Sequence, residues 1–290
     1  MIDLLQSVSD GLLFGATYAL IGIGFTLVFG VMHKINMSYA AASVAGAYAA
    51  LVILALVKVP GWVILLLSGA AGGLFGLLIY WTCFRFIPLS APLATLMSTV
   101  GMLLLIDEII VHLTAGMPVN YPVIVAGSLD IGDYMLRFDL LFVFFAALAA
   151  LGLLLWLLFR TRLGLATRAV SQQPVAARLV GIELDRVNAL TFVITGVLGG
   201  LAGALIGSAV GLLSPLIVQP LTVKGLIATV IGGLGSIPGA IVAGLLVGAA
   251  ENTFQYFRGV TERDMYIMLL LFAFLVFRPG GIFNGGAAKR

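Results

Sequence analysis

Residues Thr222 to Ala250 read TVKGLIATVIGGLGSIPGAIVAGLLVGAA, an apolar run of spanning length whose centre is Gly232, Gly233, Leu234, Gly235, Ser236, Ile237, Pro238 and Gly239. Glycine weakens a helix by about 1 kcal/mol relative to alanine, and an interior proline removes a backbone donor and clashes with the preceding turn. One straight helix is therefore excluded, and the run is expected to form two half-helices meeting in the membrane. Backbone N–H and C=O groups freed at that depth persist only where protein or a water-filled cavity satisfies them. A re-entrant turn beside a solute path is the expectation, lined by Gly232, Gly233, Gly235 and Ser236.

Outward from this run the chain repeats the same theme without the break. Gly11 to Met32, Ile35 to Val57, Gly61 to Phe84, Leu93 to Ala115, Leu140 to Phe159 and Ala189 to Leu213 are apolar segments of spanning length, each near the roughly 20 residues that a bilayer requires. A last helix should end at Phe277, before Arg278, Pro279, Gly280 and Gly281, and begin near Gly259 or Val260. The expected fold class is all-α integral membrane, about eight helical segments including the broken pair, in a single domain over residues 1–290. With 62% hydrophobic and 9% charged residues, the chain has too little polar surface to cover a water-soluble globule. The first ten residues contain no Lys or Arg and no convincing cleavage site follows, so the first span is expected to be retained.

Charge in the connections orients the bundle. The stretch at about 160–188 carries Arg160, Arg162, Arg168, Arg178 and Arg186 against Glu183 and Asp185, which predicts a cytoplasmic loop; Gly116 to Asp139, with Arg137 against Asp130, Asp133 and Asp139, predicts an external one. Counting spans from these puts the N-terminus and Lys58 outside, and Lys34, Arg85, Lys289 and Arg290 inside. The parity closes only if the broken pair enters and leaves on the outer side. The net charge of +3 is thus an orientation signal, and nucleic-acid binding is not expected.

Thirty-six glycines include the four-residue series Gly199, Gly203, Gly207 and Gly211, and the pairs Gly69 with Gly73, Gly72 with Gly76, and Gly244 with Gly248. Small residues at that spacing let helix backbones approach, here within the chain in preference to a seam between copies. Asp107, Glu108 and His112 fall toward the outer end of the fourth segment, where an interfacial position and a Glu108–His112 pair one turn apart are expected. Glu251 and Asn252 are expected to face an external vestibule. Cys83 stands alone, no His, Cys and carboxylate group has metal-ligand spacing, and no Ser, His, Asp arrangement suggests hydrolysis. Neither an enzyme nor a bound cofactor or metal is expected.

The basic connection contains RAVSQQPVAARLVGI, Arg168 to Ile182, which after Pro174 reads as a short helix closed by Gly181. With GLLFGATYALIGIGFTLVFGVMHKIN (Gly11 to Asn36), LMSTVGML (Leu96 to Leu103), KGLIATVIGGLGSIPGAIVAGLLVG (Lys224 to Gly248) and the closing FRPGGIF (Phe277 to Phe283), it resembles the permease subunits of branched-chain amino acid ABC transporters, and in particular the shorter member of the pair. The resemblance implies a bacterial inner-membrane importer subunit. Its implied partners are ABC ATPase subunits, a second and usually different permease chain, a periplasmic solute-binding protein and the lipid bilayer. Ser171, Gln172, Gln173, Ala176, Ala177, Arg178 and Gly181 would form the loop that couples to the ATPase. The chain has no Gly-x-x-x-x-Gly-Lys-Ser/Thr phosphate loop, so ATP would be hydrolysed on the partner. Where the family usually continues Phe-Ala-His-Gly after the asparagine, this sequence has Met37, Ser38, Tyr39, Ala40 and Ala41. That departure leaves an aromatic acid, an amide or urea as alternative solutes. Asn36, Ser38, Tyr39, Ser98 and Thr99 are the further candidates for the solute path. A secondary transporter or channel is the alternative of another class; it would place coupling carboxylates at mid-membrane, which the sequence is expected to leave almost free of charge.

Overall fold

The computed structural model describes residues 2–56, 60–88, 91–132, 134–278 and 280–283. In chain order the helices are α1 (Ile2–Met32), α2 (Tyr39–Leu56), α3 (Val63–Ile79, prolonged by a π-helical turn Tyr80–Phe84), α4 (Pro92–Thr114), α5 (Phe138–Arg160), α6 (Arg162–Gln172) and α7 (Pro174–Leu179). They continue with α8 (Leu184–Val210), α9 (Val218–Gly232), α10 (Ile237–Arg258) and α11 (Arg263–Phe277). Short strands decorate one end: β1 (Val119–Asn120) pairs antiparallel with β4 (Leu212–Leu213), and β2 (Ser128–Ile131) with β3 (Tyr134–Arg137). Eight helices of the described residues are long and apolar enough to cross a membrane, as composition implied.

The bundle is organised around α1 and α8, the most deeply buried helices. α1 lies antiparallel to α10 along its whole length: Gly11 meets Asn252, Gly15 meets Gly244 and Leu245, Gly22 meets Ala240, and Gly30 meets Gly235. α3 and α8 form a second seam in which Gly72 and Gly76 face Gly196, Gly200 and the Phe192 backbone, while Gly46 of α2 packs on Gly72. Across this seam Ser68 Oγ donates to Gly200 O at 2.6 Å. The four-residue glycine spacing thus serves packing inside the chain, as expected, and the short separations let dispersion and a buried hydrogen bond act between backbones.

The break between α9 and α10 is present, but it is a tight turn at one end of the bundle. Gly233 and Gly235 have φ of 100° and 87°, values that side chains resist. Ser236 caps α10 by accepting from Gly239 N at 3.2 Å, and Pro238 sits in the first turn, where its missing donor costs nothing. Because Gly235 meets Gly30, two residues from the end of α1, the turn is a full helix length from the Gly11–Asn252 contact. α10 has 22 residues, about 33 Å, and the stretch Pro215–Gly232 has 18. The two pieces are therefore full spans, not half-helices. Both nevertheless begin and end as the expected parity requires, since the Val218 and Arg258 ends lie together away from the turn. After α11 the chain returns to the turn: Ile282 N donates to Ile231 O at 2.8 Å, and Gly281 packs on Gly233.

Other boundaries moved for local reasons. α1 begins at Ile2, earlier than Gly11, and its polar first turns line a cavity. α2 begins at Tyr39, not Ile35, because Asn36 Oδ1 accepts from Ser38 N and Ser38 Oγ and holds a turn there. In the basic stretch α7 is the short helix expected after Pro174, whereas α6 is a helix where a loop was expected. The final helix starts at Arg263, after a turn through Gly259. Val57, Lys58, Pro279, Lys289 and Arg290 lie outside the described residues.

Candidate functional site

Three of the predicted path residues, Asn36, Ser38 and Thr99, are brought together where the α1–α2 connection meets α4, with Tyr39 and Ser98 beside them in the chain. Asn36, Ser38 and Thr99 are buried, and Thr99 Oγ1 accepts from Met37 N at 3.3 Å. Lys34 Nζ donates to Thr95 Oγ1 at 2.9 Å, extending the same polar seam, and the Ser98 carbonyl accepts from Cys83 Sγ at 3.6 Å. Tyr39 is 2% exposed; its ring stands edge-on to Phe25 with centroids 5.1 Å apart, and fits into space left by Gly24 and Gly199. The hydroxyl of Tyr39 has no hydrogen-bond partner among the described residues. Gly232, Gly233, Gly235 and Ser236 do not join this group. They form the α9–α10 turn against Gly30, beside a cavity of about 150 Å³ also bounded by Thr26, Arg168 and Ser171.

The candidate coupling residues sit on a projecting elbow. Thr161 caps α6 by accepting from Gly164 N at 3.2 Å, and α6 lays Val170 against Val31 and Val187, with Ala177 of α7 filling the same cluster. Ala177 is therefore a packing residue; Gln172, Gln173, Ala176, Arg178 and Gly181 are exposed, and Ser171 is half-buried. Gly181, at φ 87°, ends the segment as expected. What the residue spacing did not reveal is the apolar tip: Val175, Leu179 and Val180 are 75%, 85% and 76% exposed. Such side chains at a polar elbow leave a face for a protein surface to cover.

Ionisable groups are less scarce inside the bundle than the sequence suggested. Lys224 of α9 and Glu251 of α10, 7% and 3% exposed, form an ion pair of 2.7 Å. Lys224 Nζ also lies 3.1 Å from Asp264 Oδ1 and 5.5 Å from the centre of the Tyr18 ring, and Arg263 Nε lies 3.3 Å from Glu251 Oε1. Glu251 thus faces neighbouring helices inside the bundle, not a vestibule. The signal available was Lys224 itself, one cation within an apolar run, whose partner lies 27 residues on. At the Arg258 end, an open cavity of about 700 Å³ is bounded by Asp3, Asp10, Arg137, Asn252, Gln255 and Arg263, so Asn252 does reach a vestibule. There Asp139, accepting from Arg137 Nε at 3.2 Å, holds that guanidinium above its ordinary pKa. A second cavity, about 240 Å³, opens between α9 and α11 over Lys224 and Asp264.

The fourth helix continues past the predicted interfacial groups. Asp107 Oδ2 accepts from Gln219 Nε2 at 3.4 Å, and Glu108 and His112 are exposed without forming the expected pair. Among the described residues no group of His, Cys, Asp and Glu could hold a metal ion.

With this geometry in view, the comparisons with known proteins are consistent along the whole chain. The family model for the permease component of branched-chain amino acid transport systems matches residues 7–277. The high-affinity branched-chain amino acid transport system permease protein LivH of Escherichia coli K12 is 31% identical, covering 96% of this chain and 94% of its own. BraD of Pseudomonas aeruginosa, described in the same terms, is also 31% identical, over 96% of this chain and 95% of its own. A probable LivH of Methanocaldococcus jannaschii is 24% identical over 91% of this chain.

Proposed function

The chain belongs to the family of branched-chain amino acid transport permeases, and from that premise we propose that it carries branched-chain or closely related amino acids inward across the bacterial inner membrane, driven by ATP hydrolysis on partner subunits. It is a multi-pass membrane permease subunit of an ABC importer, not a catalytic subunit. The exposed apolar tip of α7 carries the mechanism: Leu179 and Val180 are the groups that a nucleotide-binding subunit would cover. Closure of two such subunits on ATP would push α7. Because α7 and α6 share their packing cluster with Val31, that push reaches the end of α1 and the α9–α10 turn beside it. Rigid helices rocking about such contacts alternate access between the two faces. The N-terminus and the large cavity are outside in this reading, and the C-terminus, α6 and α7 are cytoplasmic, in accord with the arginine bias. A periplasmic binding protein would deliver solute to the outer end, and a second permease chain, of the same family and different sequence, would complete the path.

Import of leucine, isoleucine and valine by cells expressing this chain with its partner subunits tests the proposal. Replacing Leu179 and Val180 together by Asp should abolish both import and co-purification of the ATPase while leaving the permease in the membrane. Parental import by that variant would refute the coupling role, and import of urea or an aromatic acid in place of branched-chain amino acids would refute the substrate.

A further inference from the structure

The cavity between α9 and α11 has the chemistry of an amino-acid site. Its floor holds one cation, Lys224, and one anion, Asp264, with Nζ 3.1 Å from Oδ1. Its walls are Pro220, Val223, Ile227, Ile267 and Met268, with Gln219 as the one uncharged polar side chain among the described lining residues. At about 240 Å³ it has room for a small aliphatic molecule. The floor charges differ in how firmly they are held. Lys224 is fixed by Glu251 at 2.7 Å inside the bundle, whereas the Asp264 side chain is 47% exposed and has no other cation as close as Lys224.

We propose that this cavity binds the solute as a zwitterion, with the α-ammonium group on Asp264, the α-carboxylate on Lys224 and the aliphatic side chain against Val223, Ile227, Ile267 and Met268. The inference rests on the reading above that this chain carries branched-chain amino acids, and names the residues that select them. Charge balance favours such a ligand. Lys224, Arg263, Glu251 and Asp264 sum to zero, so a molecule bearing one charge of each sign enters without leaving an unpaired charge in a region of low dielectric. An ion of single sign would leave one. A ligand with a charged side chain would drive that charge into an apolar wall, so selection against lysine or glutamate follows from the same geometry.

Binding of tritiated leucine to the full-length chain in lipid nanodiscs tests the site, with import by intact cells measured in parallel. Leucine should bind saturably. N-acetyl-leucine, which lacks the ammonium charge, and leucinamide, which lacks the carboxylate, should each compete at least tenfold more weakly. Asp264→Asn should weaken leucine binding tenfold or more, and so should Met268→Trp, which fills the mouth from an exposed position and leaves the fold intact. Leu246→Trp, exposed elsewhere on α10, should bind as the parent does. Equal affinity in the parent, Asp264→Asn and Met268→Trp would overturn the site. Import of leucine by cells with no binding to the isolated chain would also overturn the site while leaving the permease reading intact. Absence of import by the parental transporter would overturn both.

Discussion

Lys224 and Glu251 show how much a single pair can hide in an apolar sequence. Removing one member of a buried ion pair strands the other and costs about 3–5 kcal/mol, whereas replacing both by apolar groups of similar volume is often neutral. Lys224→Met alone should therefore lower the thermal midpoint of the purified chain sharply, and adding Glu251→Leu should recover most of the loss. A double variant as unstable as the sum of the singles would show that the two residues do not act as a pair. The pair was half legible. Lys224 stands out in TVKGLIATV, but hydropathy is local and pairing across 27 residues is not, so nothing in the run identifies Glu251 as its partner. Tyr39 is the converse. Its place beside Asn36 marked it as polar and functional, and the fold buries its ring between Gly24 and Gly199.

Elements were legible where one local rule sufficed. Apolar length found the spans, and the glycine and proline pattern found the junction of α9 and α10. Its depth was not legible, because the same residues that break a helix in mid-membrane also make a tight turn between two complete helices; only Gln219, Pro220 and the polar end of α10 distinguish the cases, and those residues lie outside the apolar run. α6 was missed because its amphipathic pattern is rich in arginine, which counted as a loop signal. The α3–α8 seam gives the element-scale test. A side chain on Gly72 would drive into the Gly196 carbonyl and the Gly200 backbone, so Gly72→Ala should destabilise by about 1–3 kcal/mol through overpacking. Gly152→Ala, on α5 with nothing within 4 Å of the added carbon, should cost nothing and gain up to about 1 kcal/mol of helix propensity. Thermal unfolding monitored by thiol-reactive dye at Cys83 separates the two, and equal midpoints would disprove the close seam.

For the whole molecule the testable property is sidedness. In a Cys83→Ser background, Gln255→Cys should react with a membrane-impermeant maleimide from the periplasm, and Gln172→Cys only after the membrane is opened; the reverse pattern would invert the topology. The all-helical membrane fold was legible in composition, while the two cavities at its Arg258 end required three dimensions, since residues from α1, β3, α10 and α11 meet there. The bond from Ile282 N to Ile231 O joins the segment after α11 to a helix end about fifty residues earlier in the sequence. A chain cut short between α11 and Ile282 keeps α9 and α10 complete but lacks the segment that closes the tip of their turn. A chain ending at Arg278 should therefore insert with all its spans and yet expose Ile231→Cys, buried in the full chain, to labelling from the α6 side. Gly281 and Ile282 would then act as a latch, laid across the turn between two helices that are complete without it.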